Sequence, residues 1–501
     1  IKTWLYDENG YPSGFAGGNV PRRGLPFQQK NLQFERRAAK DCTRSTFLLG
    51  HYRSHGEGEP VDPATLAPDE PVIRVSFSVN PYYSDLLNPE ATAAFIEESY
   101  EPYHRHFGQY FGKEIAGIFT DEPQLGRSVM PWSHVLPEYF LQRYGYDLLD
   151  RLSALYLEKA GCETVLHEFW QCVTELFTNG YIAPLRAWCD DHHVLLTGHA
   201  LLEEDIRRQI LSSGSAMAMY RHMHIPGVDW LGRNTGNPFL LRQVASVAAQ
   251  TGNPLVLSEM FAAAGWNTTP EALKHIAEWQ YAFGINLLCA HLYAYSIAGI
   301  RKKDHPPAIS FQANWWEAIR PLNDHLARLG QLLSEGVREA DLLVVHPLRG
   351  GWATLDASCS EHGTNPAIDA LEEAGIALEN ALSHAWIDHD YADEGMLAEM
   401  GRSESGWLHV GARRYRVALI PETPVMEEYT IRLLHAFAQN GGRVWRMGDM
   451  PAVARQPVSA DAAQVRQQVM SASVRLGSHA ELLALARETG LAPFSLVRKD
   501  G

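Results

Sequence analysis

From residue 1 to about 330, short apolar runs alternate with longer stretches in which apolar positions recur every three or four residues. Short runs of this kind read as buried strands and the longer stretches as amphipathic helices, a pattern that predicts βα units feeding a parallel sheet. Seven strand candidates are visible: IKTWLYD (1–7), VIRVSFSVN (72–80), IAGIFTD (115–121), HVLLTGHA (193–200), IPGVDWL (225–231), PLVLSEMF (254–261) and INLLCAHLY (285–293). A (β/α)8 barrel of the TIM type needs eight strands in ~250 residues. The pattern therefore predicts such a barrel over residues 1–335, with its first strand lying before Ile1. On this count IAGIFTD is the fourth strand and PLVLSEMF the seventh. The stretch from about 19 to 71, rich in Arg, Gly and Pro, is too long for a simple βα loop and is expected to form an insertion at the top of the barrel. Helix limits are legible as well: Thr269 suits an N-cap, Pro270 the first turn and Gly284 the stop.

Beyond about residue 337 the texture changes. ADLLVVHPL, RYRVALIPE and GGRVWRMGD have the continuous apolar character of buried parallel strands, and AIDALEEAGIALENAL and EEYTIRLLHAFAQNG read as helices between them. This predicts a doubly wound, flavodoxin-like α/β domain over 336–455, similar to the class I amidotransferase-like module of certain barrel β-galactosidases. A working amidotransferase would need a cysteine on a tight strand-to-helix elbow. Cys359 lies instead in LDASCSEHG, and the strand ends at Pro347 and Pro421 carry no nucleophile, so packing or homo-oligomerisation is the expected role. Residues 456–501 read as a helical tail, through DAAQVRQQVM and HAELLALARETG, leading to the start of a β region in APFSLVRKDG.

Composition narrows the partners. The 43 basic residues against 59 acidic give a formal charge of −16 with no basic block, which disfavours nucleic acid and anionic membrane surfaces. No apolar stretch is long enough to cross a bilayer, and a neutral carbohydrate substrate fits better. Six scattered cysteines without CxxC spacing suggest neither a disulfide framework nor a zinc site. Thirteen tryptophans are a milder pointer to sugar stacking. The expected compartment is the cytoplasm, with the periplasm as the alternative, because IKTWLYDE begins in mid-strand and any leader would precede it.

Barrel active sites form at the C-terminal ends of the strands. Several candidate strands end in polar residues there: Asp7 and Glu8, Asp121 and Glu122, His199, Asp229, and Glu259. Any one acid can instead cap the next helix. Glu122, followed by Pro123, and Glu259, inside the apolar LSEMF, are poor caps. Placed on the fourth and seventh strands, across the barrel from one another, the two glutamates can share a cleft, one protonated and one ionised. Glycosidic bond cleavage requires such a pair: an acid protonates the leaving oxygen while a carboxylate attacks the anomeric carbon or activates water. Glu122 is the expected general acid, with Asp121 binding substrate or tuning it.

The strings WLYDENGYPSGFAGG, DLLNPEATAAFIEESYEPY, GIFTDEPQ, HIPGVDWLG, LSEMFAAAGWNTTPE and RKKDHPPAISFQANWW, in this order, resemble glycoside hydrolase family 106, the α-L-rhamnosidase group. The resemblance implies a barrel hydrolase of α-L-rhamnosides, with Glu122 and Glu259 as the catalytic pair and Asp7, Glu8, His199 and Asp229 around the sugar. It also implies inversion of configuration and a calcium ion beside the sugar diol, whose ligands on this chain stay open; the hydrolysis itself needs no cofactor. A β-galactosidase-like retaining hydrolase, which shares acids on strands four and seven, and a non-catalytic carbohydrate-binding barrel are the alternatives.

Weaker signals remain. Gly14, Gly17 and Gly18 lack the spacing of a phosphate loop and suit a tight turn beside the site. Trp266, Trp315 and Trp316 are candidate sugar platforms, as are Tyr82 and Tyr83, with packing as the alternative. His192 and His193 precede a strand and belong at the barrel's opposite end. Arg301, Lys302, Lys303 and Asp304 read as a solvated face.

Overall fold

The computed structural model describes residues 2–42, 46–126, 130–157, 161–359 and 361–491. The APFSLVRKDG segment, expected to begin a β region, lies outside them. The chain opens with β1 (Thr3–Tyr6) and then leaves the sheet for an antiparallel excursion of β2 (Gln28–Ala38), β3 (Leu48–Arg53) and β4 (Pro71–Ser84). Helices α1 (Pro89–Phe95) and α2 (Glu101–Phe107) lead to β5 (Ile115–Asp121), and β6 (Pro131–Trp132) returns to the excursion by pairing with β2.

The run VIRVSFSVN, expected as a barrel strand, is the middle of β4 and pairs with β2 from Gln28 opposite Ser84 to Ala38 opposite Pro71. Ile73, Val75, Phe77 and Val79 alternate with Arg74, Ser76, Ser78 and Asn80. Alternation of this kind gives a strand one buried and one wet face, which an antiparallel sheet tolerates and the interior of a parallel barrel does not. The excursion is consequently larger than the expected 19–71 insertion.

After β6 come α3 (Leu136–Tyr144), α4 (Cys162–Phe177) and α5 (Ala183–Asp191), then β7 (Leu195–His199), α6 (Ile206–Ser213), α7 (Ala216–Tyr220), β8 (Ile225–Trp230), α8 (Phe239–Thr251), β9 (Leu257–Met260), α9 (Pro270–Ala282) and β10 (Leu287–Ala290). The parallel sheet runs β1-β5-β7-β8-β9-β10. It therefore has six strands among the described residues, not the eight expected, and β5 and β9 are separated by β7 and β8. The sheet curls like a half-barrel: Tyr6 and Cys289, on its two edge strands, lie near enough for each side chain to affect the ionisation of the other. Phe119, Ile225 and Leu257, with Trp4, Leu287 and Cys289 against them, fill the concave face below the strand ends.

A long α10 (Ile319–Glu335) precedes a second parallel sheet built from β11 (Leu342–Val345), β12 (His389–Ala392), β16 (Val417–Ile420), β18 (Arg443–Met447) and β20 (Val474–Leu476), in the order β12-β11-β16-β18-β20. Three short strands, β13 (Gly401–Glu404), β14 (Trp407–Val410) and β15 (Arg413–Tyr415), and the pair β17 (Val425–Met426) and β19 (Ala452–Val453) decorate it. Between the two expected helices of the 456–501 segment, β20 pairs with β18 and extends this sheet. Its core is continuous with that of the first sheet: the Trp170 indole donates to Leu355 O at 2.9 Å and the Trp352 indole to Gly214 O at 2.9 Å. Among the described residues no helix is long and apolar enough to cross a membrane.

Candidate active site

The loop after β1 braces the end of β5. Ser13 N donates to Asp121 O at 2.8 Å, and Asp121 N donates to Ser13 Oγ at 2.7 Å. Ser13 Oγ in turn donates to Asp7 Oδ1 at 2.5 Å, and the Tyr100 hydroxyl donates to Asp7 Oδ2 at 2.8 Å. Both Asp7 oxygens are thus engaged within the protein, and burial pushes its pKa up to about 7. Expected in the sugar shell, Asp7 is placed as the anchor of this loop. The clamp holds Glu122 at φ +48°, a left-handed conformation costing a non-glycine residue of order 1 kcal/mol. Tyr11, on the same loop, donates its hydroxyl to Glu122 Oε2.

His199 ends β7 in register with Asp121, and Asp229 on β8 is in register with Glu259 on β9. Gly198 makes the first approach possible: at φ +144° its Cα faces Thr120 O so closely that a Cβ would lie 2.0 Å from that oxygen. His199 is 1% exposed and stands between the glutamates. Its Nε2 lies 2.9 Å from Glu259 Oε2 and 3.7 Å from Asp121 Oδ1, while Nδ1 lies 3.7 Å from Glu122 Oε1. One imidazole therefore bridges Glu122 and Glu259, which keeps their carboxylates within ~9.5 Å, the upper limit for a pair flanking a glycosidic bond. No packed apolar wall separates them.

The electrostatics follow from five acids around one ring. Burial lowers the basicity of His199, but the Glu259 hydrogen bond and the charges of Asp229, Glu122 and Asp121 outweigh it and hold the imidazole well above its ordinary pKa. Burial pushes the Glu259 carboxyl up, but the hydrogen bond and charge of His199, with His291 and His305 beyond, keep it below the usual range. Asp121 and Asp229 go the other way. Burial, assisted by the neighbouring acids, raises Asp121 to about 7 and Asp229 to about 8. Glu8 is also raised, by burial and then by Glu259.

Of the expected site residues, the structure brings Glu8, Asp121, Glu122, His199, Asp229 and Glu259 together. The three tryptophans sit differently. Trp266 donates to Lys302 O at 2.7 Å and Trp315 to Thr268 O at 2.8 Å, tying the loops after β9 and β10, and Trp316 meets Tyr293 edge-on at 6.2 Å. None of these contacts reaches the carboxylates. Two residues went unmarked in the sequence: Tyr11, and Glu203, which is 2% exposed on the loop after β7, accepts from the Tyr220 hydroxyl at 3.2 Å and is raised well above its ordinary pKa by burial. The glycine- and proline-rich turn GYPSG could have signalled the first; an acid in LLEED gives no hint of burial.

Asp121, His199 and Glu259 offer ligand atoms within 4.8 Å of one another. Calcium takes six to eight oxygens. This trio includes a ring nitrogen, and that nitrogen donates to Glu259, so as arranged it does not fit calcium.

A family model described as alpha-L-rhamnosidase, glycoside hydrolase family 106, matches residues 78–478. The fold is similar to a rhamnosidase from a Novosphingobium species (TM-score 0.64, 18% identity, 88% of this chain and 44% of that one). It is also similar to an exo-carrageenase from Bacteroides ovatus (TM-score 0.56, 11% identity, 82% of this chain and 59% of that one). A Formosa agariphila protein whose name proposes a beta-glucuronidase is 23% identical over 371 residues, 72% of this chain and 29% of its own length. The chain thus spans less than half the length of the Formosa and Novosphingobium relatives.

Proposed function

We propose, from the premise that this chain belongs to glycoside hydrolase family 106, that it hydrolyses terminal α-L-rhamnosides with Glu122 and Glu259 as the working carboxylates. The observation that carries the assignment of roles is the asymmetry of His199. Its Nε2 is hydrogen-bonded to Glu259 at 2.9 Å, whereas Nδ1 stands 3.7 Å from Glu122, beyond a hydrogen bond. An imidazolium bonded to one carboxylate favours its ionised form. Glu259 is accordingly the carboxylate that attacks the anomeric carbon or activates a water. Glu122, oriented by Tyr11, delivers the proton to the leaving oxygen.

Within the cluster the remaining acids serve the sugar. Asp121 and Asp229, raised to about 7 and about 8, exchange protons near neutrality and can accept or donate hydrogen bonds at ring hydroxyls. No step passes through a metal ion.

The test is hydrolysis of a panel of aryl glycosides by the wild-type protein and by Glu122→Gln and Glu259→Gln. The expected result is release from the α-L-rhamnoside, with each variant slower by on the order of 10² or more and unchanged in circular dichroism. An aryl rhamnoside left intact while another glycoside is cleaved overturns the substrate assignment. A variant with near-normal rate removes that residue from the mechanism.

A further inference from the structure

The cleft is a nest of carboxylates on a chain of formal charge −16, yet three consecutive cations lie on the loop that follows β10. Arg301, Lys302 and Lys303 occupy a single 3-10 turn, Gly299–Lys303, and all are exposed. Their neighbouring acid, Asp304, points to His305 at 3.8 Å, and among the described residues none of the three cations makes an ion pair.

The loop is tethered to the segment that carries Glu259. Lys302 O accepts from the Trp266 indole at 2.7 Å, and Pro306 O accepts from Gly265 N at 2.8 Å. At the foot of the loop His291 Nε2 stands 3.9 Å from Glu259 Oε1, and the His291 ring is 5.7 Å from that of His305. The loop therefore reaches the working carboxylate through His291 and His305, and the three cations precede His305 by two to four residues. On the same loop Tyr293, Tyr295 and Phe311 are 52%, 95% and 71% exposed. Exposed aromatic faces beside unpaired cations match a ligand with a flat apolar ring face and a negative charge. Glu259, held ionised at the cleft floor, repels an anion there, so the charge belongs on a unit outside the one being cleaved.

We propose that the loop from His291 to Trp316 is a subsite for an anionic sugar, bearing a uronate carboxylate or a sulfate ester, on the leaving side of the scissile bond. This rests on the glycosidase reading above and extends it to the substrate's second unit.

The experiment compares kcat/KM for three rhamnosyl disaccharides whose second unit is glucose, glucuronate or a sulfated glucose, using the wild-type protein and the triple variant Arg301→Ala/Lys302→Ala/Lys303→Ala. The wild type is expected to favour an anionic substrate over the neutral one by about tenfold, the sum of three modest exposed pairs. That ratio should fall toward unity as ionic strength rises from about 0.02 to about 0.5 M, and in the triple variant at any ionic strength. Preference for the glucuronate or for the sulfated sugar names the source of the charge. Equal ratios in the wild type and the triple variant overturn the subsite. Should no rhamnoside be cleaved, the functional reading has failed instead; calorimetric titration with free anionic disaccharides then decides the subsite, which requires tighter binding to the wild type than to the triple variant.

Discussion

The buried imidazole of His199 donates from Nε2 to Glu259 Oε2 at 2.9 Å, and the bond joins the end of β7 to β9 across the intervening strand β8. Replacing His199 with Asn keeps a polar side chain but removes the positive charge. Without it, burial raises the pKa of Glu259. A reaction that needs Glu259 ionised proceeds above that pKa, so the acid limb of the kcat/KM profile should move to higher pH by about one pH unit or more. A profile that merely drops in height, with both limbs in place, would make His199 a packing residue.

Tyr11 is the group that fixes Glu122. Its hydroxyl donates to Glu122 Oε2 from a loop held by Ser13 and Asp7. Tyr11→Phe keeps the ring and deletes the donor, leaving a strained backbone at φ +48° with a less constrained side chain. The expected effect is a loss in kcat of about tenfold, with KM nearly unchanged, because misplacing an acid affects the transition state more than binding. Steady-state kinetics on an aryl rhamnoside separates the two; a change in KM alone would assign Tyr11 to substrate binding.

Much of this architecture was legible because apolar runs that stop at an acid, such as IAGIFTD and PLVLSEMF, occur where parallel strands end. The strand VIRVSFSVN was misread because its position between βα units was weighed above its strict alternation, which carried the antiparallel signal. The closing strand β20 escaped because VRL is three residues long and depends on β18 for its pairing. Strand-end spacing placed the acids near one another but could not give their couplings. The His199–Glu259 bond spans 60 residues of chain, and Asp7 and Asp229, both strand-end acids in the sequence, differ only in what lies beside them.

Asp229 titrates against stability. Burial raises its pKa to about 8, above the ~3.9 of an unfolded aspartate. Between those values the folded chain binds more protons than the unfolded one, so this group makes stability fall as pH rises through the window. Asp229→Asn cannot ionise. Its urea midpoint should match the wild type near pH 4 and exceed it near pH 8, with a difference on the order of 2 kcal/mol after the neighbouring acids readjust. A variant that is less stable at both pH values would mean that Asp229 is ionised and paired in the fold.

Behind β12 the second sheet holds another histidine–carboxylate pair, and here the consequence is for folding. His389 and Glu379 are fully buried and 2.9 Å apart, and Glu379 also accepts from the Tyr391 hydroxyl at 2.9 Å and from Ser383 Oγ at 2.7 Å. Burial pushes the Glu379 carboxyl up, but the His389 charge and hydrogen bond pull it down to about 2. Its stabilisation is therefore present above the usual carboxylate range and is lost as pH falls toward 2. His389→Leu strands the carboxylate in the core and should cost about 3–5 kcal/mol at neutral pH. Glu379 then takes up a proton to escape the penalty, so the deficit should shrink as pH falls toward 4. The double variant His389→Leu/Glu379→Leu removes the stranded charge and should recover much of the loss. Urea melts of the three proteins at pH 7 and pH 4 test this, and a double variant no more stable than His389→Leu would show that shape, not charge, is what the pair contributes.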